Sequence, residues 1–262
     1  MRIIMILLSI LSGICLESID LNLPPSAAHN ASSGLSIILD NPSCSFINPA
    51  FTNPGVETTA AYLFGLKTLP YYGVSTTMKY KSFGLSAGNY YIAHSVYQEN
   101  ISYLSVNYKI QNFSLGVSFR YLYNKVMDYH KASSIISDCG LLWKNGNIST
   151  AVSVKNISQT SFLEESLPIF YIWESCYKIT KRGEIAVGLE KQDGFDFCFR
   201  IAGKYMIYKM LSILTSYQYE PDRIGLGLIF SLLKFKITYS IRTHQYLNLT
   251  HYISMGYVFK KN

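Results

Sequence analysis

The chain has 262 residues and a formal net charge of +7; 49% of it is hydrophobic and only 15% is charged. That charged fraction lies well under the roughly 25% of an ordinary soluble domain, which disfavours a conventional helical enzyme. Lys and Arg are scattered along the chain, which speaks against nucleic acid as a partner, and no internal apolar run reaches the ~20 residues of a spanning helix.

The first residues read as a secretory signal peptide over 1–15: Met1-Arg2, an apolar stretch from Ile3 to Leu11, then Ser12-Gly13-Ile14-Cys15. The mature start falls near Leu16. Cys15 invites lipidation, but bulky Ile14 stands where a small residue should precede a lipidated Cys. An N-terminal segment over 16–56 follows, rich in Asn, Ser and Pro, and a β-domain occupies 57–262. Cys44, Cys139, Cys176 and Cys198 show neither close pairing nor metal spacing, and read as small semi-apolar side chains within strands.

From there one pattern repeats. Phe113, Leu115, Val117, Phe119, Tyr121 and Tyr123 alternate with Ser114, Gly116, Ser118, Arg120, Leu122 and Asn124. Period two sends the two sets to opposite faces of a strand. Similar segments begin near Thr59, Tyr72, Phe83, Ser102, Ser134, Ile148, Leu167, Glu184, Phe195, Leu211, Ile224, Phe235 and His251, giving about fourteen strands. Many are as long as the ~9–11 residues of a tilted transmembrane strand. The joins also alternate in length: Lys81-Ser82, Gln111-Asn112, Asn145-Gly146, Lys181-Arg182, Lys209-Met210 and Lys234 are tight, and those between them include longer ones. Short periplasmic turns, longer outer loops and an even strand count describe an outer-membrane barrel. The expected fold is therefore all-β, a transmembrane antiparallel β-barrel in the outer membrane of a Gram-negative-type bacterium. A soluble exported sandwich that binds a ligand shares the period-two pattern and stays open as an alternative.

This orientation sorts charge. Lys81, Lys109, Lys144, Lys178, Lys181, Arg182, Lys209, Lys234, Lys260 and Lys261 fall near the periplasmic rim; Glu99, Asp128, Glu164, Glu165, Asp193, Glu220 and Asp222 fall near the outer rim. Basic groups there can reach anionic phospholipid, although turns also favour charge in general. Inward positions supply a candidate polar lumen network of Lys79, Asn107, Arg120, Glu184, Glu190, Asp196, Arg200, Lys204 and Arg242. No nucleophile motif, phosphate loop or metal cluster emerges, so neither an enzyme nor a cofactor is expected.

Residues 34–51 read GLSIILDNPSCSFINPAF. With Asn48-Pro49-Ala50, this segment resembles the start of the long-chain fatty-acid transporter (FadL-like) superfamily, nearest its PorV/PorQ-like branch. The Pro221 to Gly227 and Leu249 to Phe259 stretches are similar to that branch in rhythm. The resemblance implies a fourteen-stranded barrel, with Asn48, Pro49 and Ala50 in a luminal hatch; a plain turn leading into the barrel is the alternative. It implies a scaffold or adaptor in protein export, with secretion-system proteins and outer-membrane lipid as partners. The second implied function is passage of small hydrophobic molecules, which short outer loops and the lack of an evident ligand pocket weaken.

Overall fold

The computed structural model describes residues 23–127, 130–162 and 165–259. The expected leader with Cys15, and the rim residues Asp128, Glu164, Lys260 and Lys261, lie outside these. Fourteen strands close into one antiparallel barrel. The first seven are β1 (Gly55–Tyr62), β2 (Pro70–Tyr80), β3 (Phe83–Ala93), β4 (Tyr97–Ile110), β5 (Phe113–Val126), β6 (His130–Asn145) and β7 (Ile148–Lys155). A two-stranded hairpin, β8 (Ser161–Phe162) with β9 (Glu165–Ser166), stands apart in an outer loop. The barrel resumes with β10 (Phe170–Lys178), β11 (Gly183–Gln192), β12 (Cys198–Tyr208) and β13 (Leu211–Tyr219). It ends with β14 (Arg223–Leu232), β15 (Phe235–Arg242) and β16 (Thr250–Val258). Strand β10 pairs with β7 across the insertion, and β16 closes on β1 from Gly55↔Val258 to Tyr62↔His251.

The strand count and closure match the sequence expectation, and a two-sheet soluble sandwich is overturned by the single closed sheet. Alternation reads directly as facing. Phe113, Leu115, Val117 and Phe119 are about half exposed on the outside, whereas Ser114, Ser118 and Arg120 between them are buried inside. Strands run from 8 residues in β1 to 16 in β6, which is enough to cross a bilayer when tilted. A continuous apolar exterior of this kind belongs to a transmembrane barrel, because lipid satisfies no backbone group and only a closed sheet leaves none unpaired.

Five strand starts differ from the sequence reading by three residues or more: β1, β4 and β6 begin earlier, at Gly55, Tyr97 and His130, and two others begin later. β12 begins at Cys198, so Phe195, Asp196 and Phe197 lie in an exposed loop. Gly194 at φ 81° turns the chain there, and Lys191 Nζ donates to the Phe195 carbonyl, so the aromatic alternation runs on past the end of the ladder. The segment expected from Leu167 begins only at Phe170, because Pro168 has no N–H to give a neighbouring strand.

The two-residue turns all sit at one end of the barrel, where β1 starts and β16 finishes; this is the hairpin end, and its 179–182 connection is longer. Lys81, Gln111 and Leu233 occupy left-handed φ there, between 51° and 55°, which matches two-residue connections to the strand twist. The opposite, loop end carries the longer 63–69, 156–169, 193–197 and 243–249 connections and the three-residue 94–96, 127–129 and 220–222 connections.

Residues 24–54 make no barrel strand. Five prolines at 24, 25, 42, 49 and 54 fix φ and withhold donors, and Asn and Ser side chains take over backbone bonding locally. Ser26 caps α1 (Ala27–Ala31), Ser45 donates to the Pro42 carbonyl at the start of α2 (Cys44–Ile47), and the Asn48 carboxamide accepts from Ala50 N at 2.9 Å. This inner segment fills the lumen. Leu35, Ile38, Cys44, Ala50 and Phe51 are at most 1% exposed and pack against the inward faces of Leu142, Ala151, Ala186, Ala202 and Leu214. Cys44 thus belongs to the inner segment and not to a strand; the four described cysteines are all free thiols.

Candidate functional site

The inner segment is held by the wall at named points. Four successive strands align Gly84, Asn107, Gly116 and Gly140 in one row of register partners. Three of them lack side chains, and the fourth carries a carboxamide. Residues 48–52 lie along this shelf. A Cβ at Gly116 or Gly140 would collide with Pro49 or Asn48, so the wall leaves the backbone room to approach. Asn107 Nδ2 donates to the carbonyls of Pro49 and Phe51, both at 3.2 Å, and its Oδ1 accepts from Thr52 Oγ1 at 2.6 Å. Asn48 Nδ2 donates in turn to the wall carbonyl of Val152 at 3.0 Å. These bonds satisfy non-helical backbone at membrane depth, where no water would do so.

Carboxylates hold the rest. Glu174 accepts from the N–H groups of Ser36 and Ile37 at 3.0 Å each. Glu57 accepts from Asn41 and Ser43 at 2.5 Å each. Asp40 pairs with Lys236 at 2.6 Å. On the other side, Asn30 donates to Ser240 and Ala27 N to Ser254. Arg120 pairs with Asp138 at 2.6 Å, donates to the Phe46 carbonyl, and lies 4.3 Å from the centre of the Phe46 ring.

The residues expected to form one lumen network divide into groups. Asn107 and Arg120 contact the inner segment. Glu190 and Arg200 pair with each other at 2.8 Å near the loop end. Arg242 donates to Gln218 and not to the inner segment. Glu184 and Lys204 stand opposite one another on β11 and β12, half-buried at the hairpin end. Lys79 keeps its inward register but lies exposed beyond the segment, and Asp196 is exposed in its loop, outside the lumen. Sequence reasoning passed over Glu57, Asp138 and Glu174, because an isolated carboxylate in a strand gives no signal of its partner. The wall glycines did carry one: Gly inside a strand marks close backbone approach.

Above the inner segment, a cavity of about 350 Å³ opens at the loop end. Asn30, Ser33 and Ile47 form its floor, while Leu63, Phe64, Ile172 and Tyr252 give it an apolar side. Arg200, Arg223 and Arg242 add a cationic part to the lining. His244 at the mouth is held below its ordinary pKa by partial burial and by Arg223 and Arg242, so it is neutral at pH 7. Beside the cavity, parallel rings of Tyr71, Tyr90 and Tyr103 follow one another at 6.0 and 6.2 Å. Among the described residues no group of His, Cys, Asp or Glu could hold a metal ion.

No family model matches the chain, and no curated relative matches it in sequence. Solved structures do. A TodX monoaromatic hydrocarbon channel deletion mutant superposes with a TM-score of 0.67 at 9% identity, covering 89% of this chain and 99% of that one. A second TodX mutant gives 0.66 at 10% identity over 92% of this chain and 100% of its own. A Pseudomonas aeruginosa FadL homologue gives 0.61 at 10% identity, over 90% and 98%. At such identities the likeness is one of fold: this chain is built as those FadL-type channel barrels are.

Proposed function

We propose that the protein is an outer-membrane channel for small hydrophobic molecules, with the inner segment as its hatch. One observation carries this reading: a closed barrel is plugged towards its hairpin end and keeps an accessible cavity towards its loop end. The hairpin end, with both barrel termini, is then periplasmic. A volume of about 350 Å³, lined by both apolar and polar side chains, falls in the range of small-molecule sites. The cavity also corrects the expectation that the chain has no evident ligand pocket. It reverses the order of the two functions read from the sequence: passage of small molecules comes first and an adaptor in export second. The channels of like fold supply the substrate class to try, a monoaromatic hydrocarbon.

The test is saturable binding of toluene to the detergent-solubilised protein, followed by its uptake into vesicles with a lipopolysaccharide outer leaflet. Ile172→Trp fills the cavity from the wall and should abolish binding while leaving the barrel folded. Absence of binding, or equal binding by the filled variant, would falsify the channel reading.

A further inference from the structure

Backbone strain gathers around the cavity. Among the described residues away from the hairpin end, five other than glycine hold a left-handed φ: Ser33, Phe64, Asn156, Gln159 and Glu220. Ser33, Phe64 and Glu220 line the cavity, as does Gly34 at φ 85°. Phe64 is the least expected of them, because a bulky side chain is a true outlier in that region, which Gly, Asn and Asp tolerate. Phe64 and Gly65, at φ 56° and 71°, are the central residues of a tight turn in which Leu66 N donates to the Leu63 carbonyl at 2.9 Å. A turn with two left-handed central residues ordinarily takes Asn-Gly. At the hairpin end such a backbone joins strands over two residues, but the 63–69 connection is longer and is under no such demand.

The surroundings hold the ring in place. Thr250 Oγ1, at the start of β16, accepts from Phe64 N at 3.0 Å. The Phe64 ring meets His244 edge-on, with centroids 5.1 Å apart and planes at 80°. It packs against the apolar cluster that contains Leu63, Ile172 and Tyr252, all three of which line the cavity with it.

We propose that Phe64 is the specificity-determining residue of the cavity, its ring held at the mouth by a strained turn so that it limits the size of what enters. The inference rests on the cavity of the channel reading, and not on which hydrocarbon is carried. Strained backbone persists only where its surroundings fix it, and it collects at ligand clamps and switch regions. Here the fixing groups, Thr250 and His244, both belong to the β16 side of the mouth. A ring pinned in this way leaves a passage for a single flat ring and excludes fused ones.

Cys198 reports entry, because its thiol is free and lies on the cavity lining. The full-length protein in micelles is treated with N-benzylmaleimide or with the fused-ring N-pyrenylmaleimide. Labelling of Cys198 is followed by peptide mass spectrometry, relative to Cys139 on the outer wall. In wild type the pyrenyl reagent should be slower by about ten-fold, equivalent to ~1.4 kcal/mol in barrier. Phe64→Asn suits the left-handed turn and should bring the two rates together, while the urea midpoint stays or rises. Leu233→Asn relieves the same backbone conformation at the hairpin end and should keep the wild-type ratio. A ratio that Phe64→Asn leaves unchanged overturns the proposal. So does a lower midpoint with both reagents accelerated equally, which marks Phe64 as ordinary packing. If Cys198 resists both reagents in every variant, no open cavity exists and the channel reading falls too. Absence of toluene binding beside a ratio that depends on Phe64 overturns the hydrocarbon and leaves the size limit standing.

Discussion

Arg120 and Asp138 meet at 2.6 Å across β5 and β6, and neither side chain is exposed. They are diagonal neighbours, since Arg120 stands opposite Ile136 and Asp138 opposite Ser118. The pair joins three parts of the molecule. Asp138 also accepts from Ser118 Oγ and from Asn156 N, where the outer loop departs. Arg120 reaches inward to the Phe46 carbonyl. Wall, outer loop and inner segment therefore share one buried charge pair.

Breaking that pair from one side should be costly. Arg120→Met leaves Asp138 charged and buried, with an expected loss of about 3–5 kcal/mol. Adding Asp138→Asn removes the orphaned charge and keeps an acceptor for Asn156 N, so the double variant should regain most of the loss. Urea midpoints of the barrel in micelles measure both. Equal midpoints for the single and double variants would show that charge is not the issue.

Facing gives a second prediction with opposite outcomes at adjacent positions. Val117→Arg puts a cation on the lipid face and should cost about 2–4 kcal/mol if it lies near the midplane. A spin label at 117 should be reached by a lipid-soluble quencher, and one at 118 should not. Ser118→Ala, which period two alone would class as mild, removes a bond to Asp138 and should cost about 1 kcal/mol. Equal quenching at the two positions rejects the facing.

The barrel was legible because each face meets a different solvent, so every strand had to alternate. Phe113 to Asn124 needs nothing else to be read. The rule failed at Phe195, where alternation continued after hydrogen bonding had stopped. It was also silent about the inner segment's partners. Asn48-Pro49-Ala50 stood out as a turn, but what it docks on depends on Gly116 and Gly140, which lie about 70 and 90 residues further on and meet it only once the barrel has closed. The cavity was invisible for the same reason. Its floor is Asn30 and Ile47 and its wall Ile172 and Tyr252, residues that share no local pattern.

Those wall glycines support a third prediction. Gly140→Val adds a branched side chain where Asn48 and Pro49 lie, while the outward face of β6 is untouched. The barrel should form, but the inner segment should be displaced and small solutes should leak through reconstituted vesicles in a swelling assay. Deleting residues 24–50 should leak at least as much. Asn48→Ala, which loses the bond to the Val152 carbonyl and the cap on Ala50 N, should fall between these and wild type at a cost of about 1–3 kcal/mol. A tight vesicle from the deletion would mean that the inner segment does not plug the pore.

His29 makes the docked state sensitive to acid. It lies in α1 without exposure, its Nδ1 2.9 Å from Ser26 Oγ and its Nε2 3.1 Å from Ser36 Oγ. Burial, reinforced by the charge of Lys155, lowers its pKa from 6.5 to about 3. Among the groups around it, Lys155 on β7 repels an imidazolium, and Glu57 on β1 approaches only through Ser43. A docked segment therefore holds neutral imidazole, while a released segment takes up a proton once pH falls below about 6.5. The contribution of His29 to docking is complete above pH 6.5. It declines as pH falls towards 3, by up to about 1.4 kcal/mol per unit. Solute leak should accordingly rise in wild type between pH 6.5 and 4. His29→Gln offers Ser26 and Ser36 an amide that does not titrate, and its leak should stay flatter over that interval. If the variant and wild type follow the same pH profile, the sensitivity belongs to the buried carboxylates of the wall and not to His29.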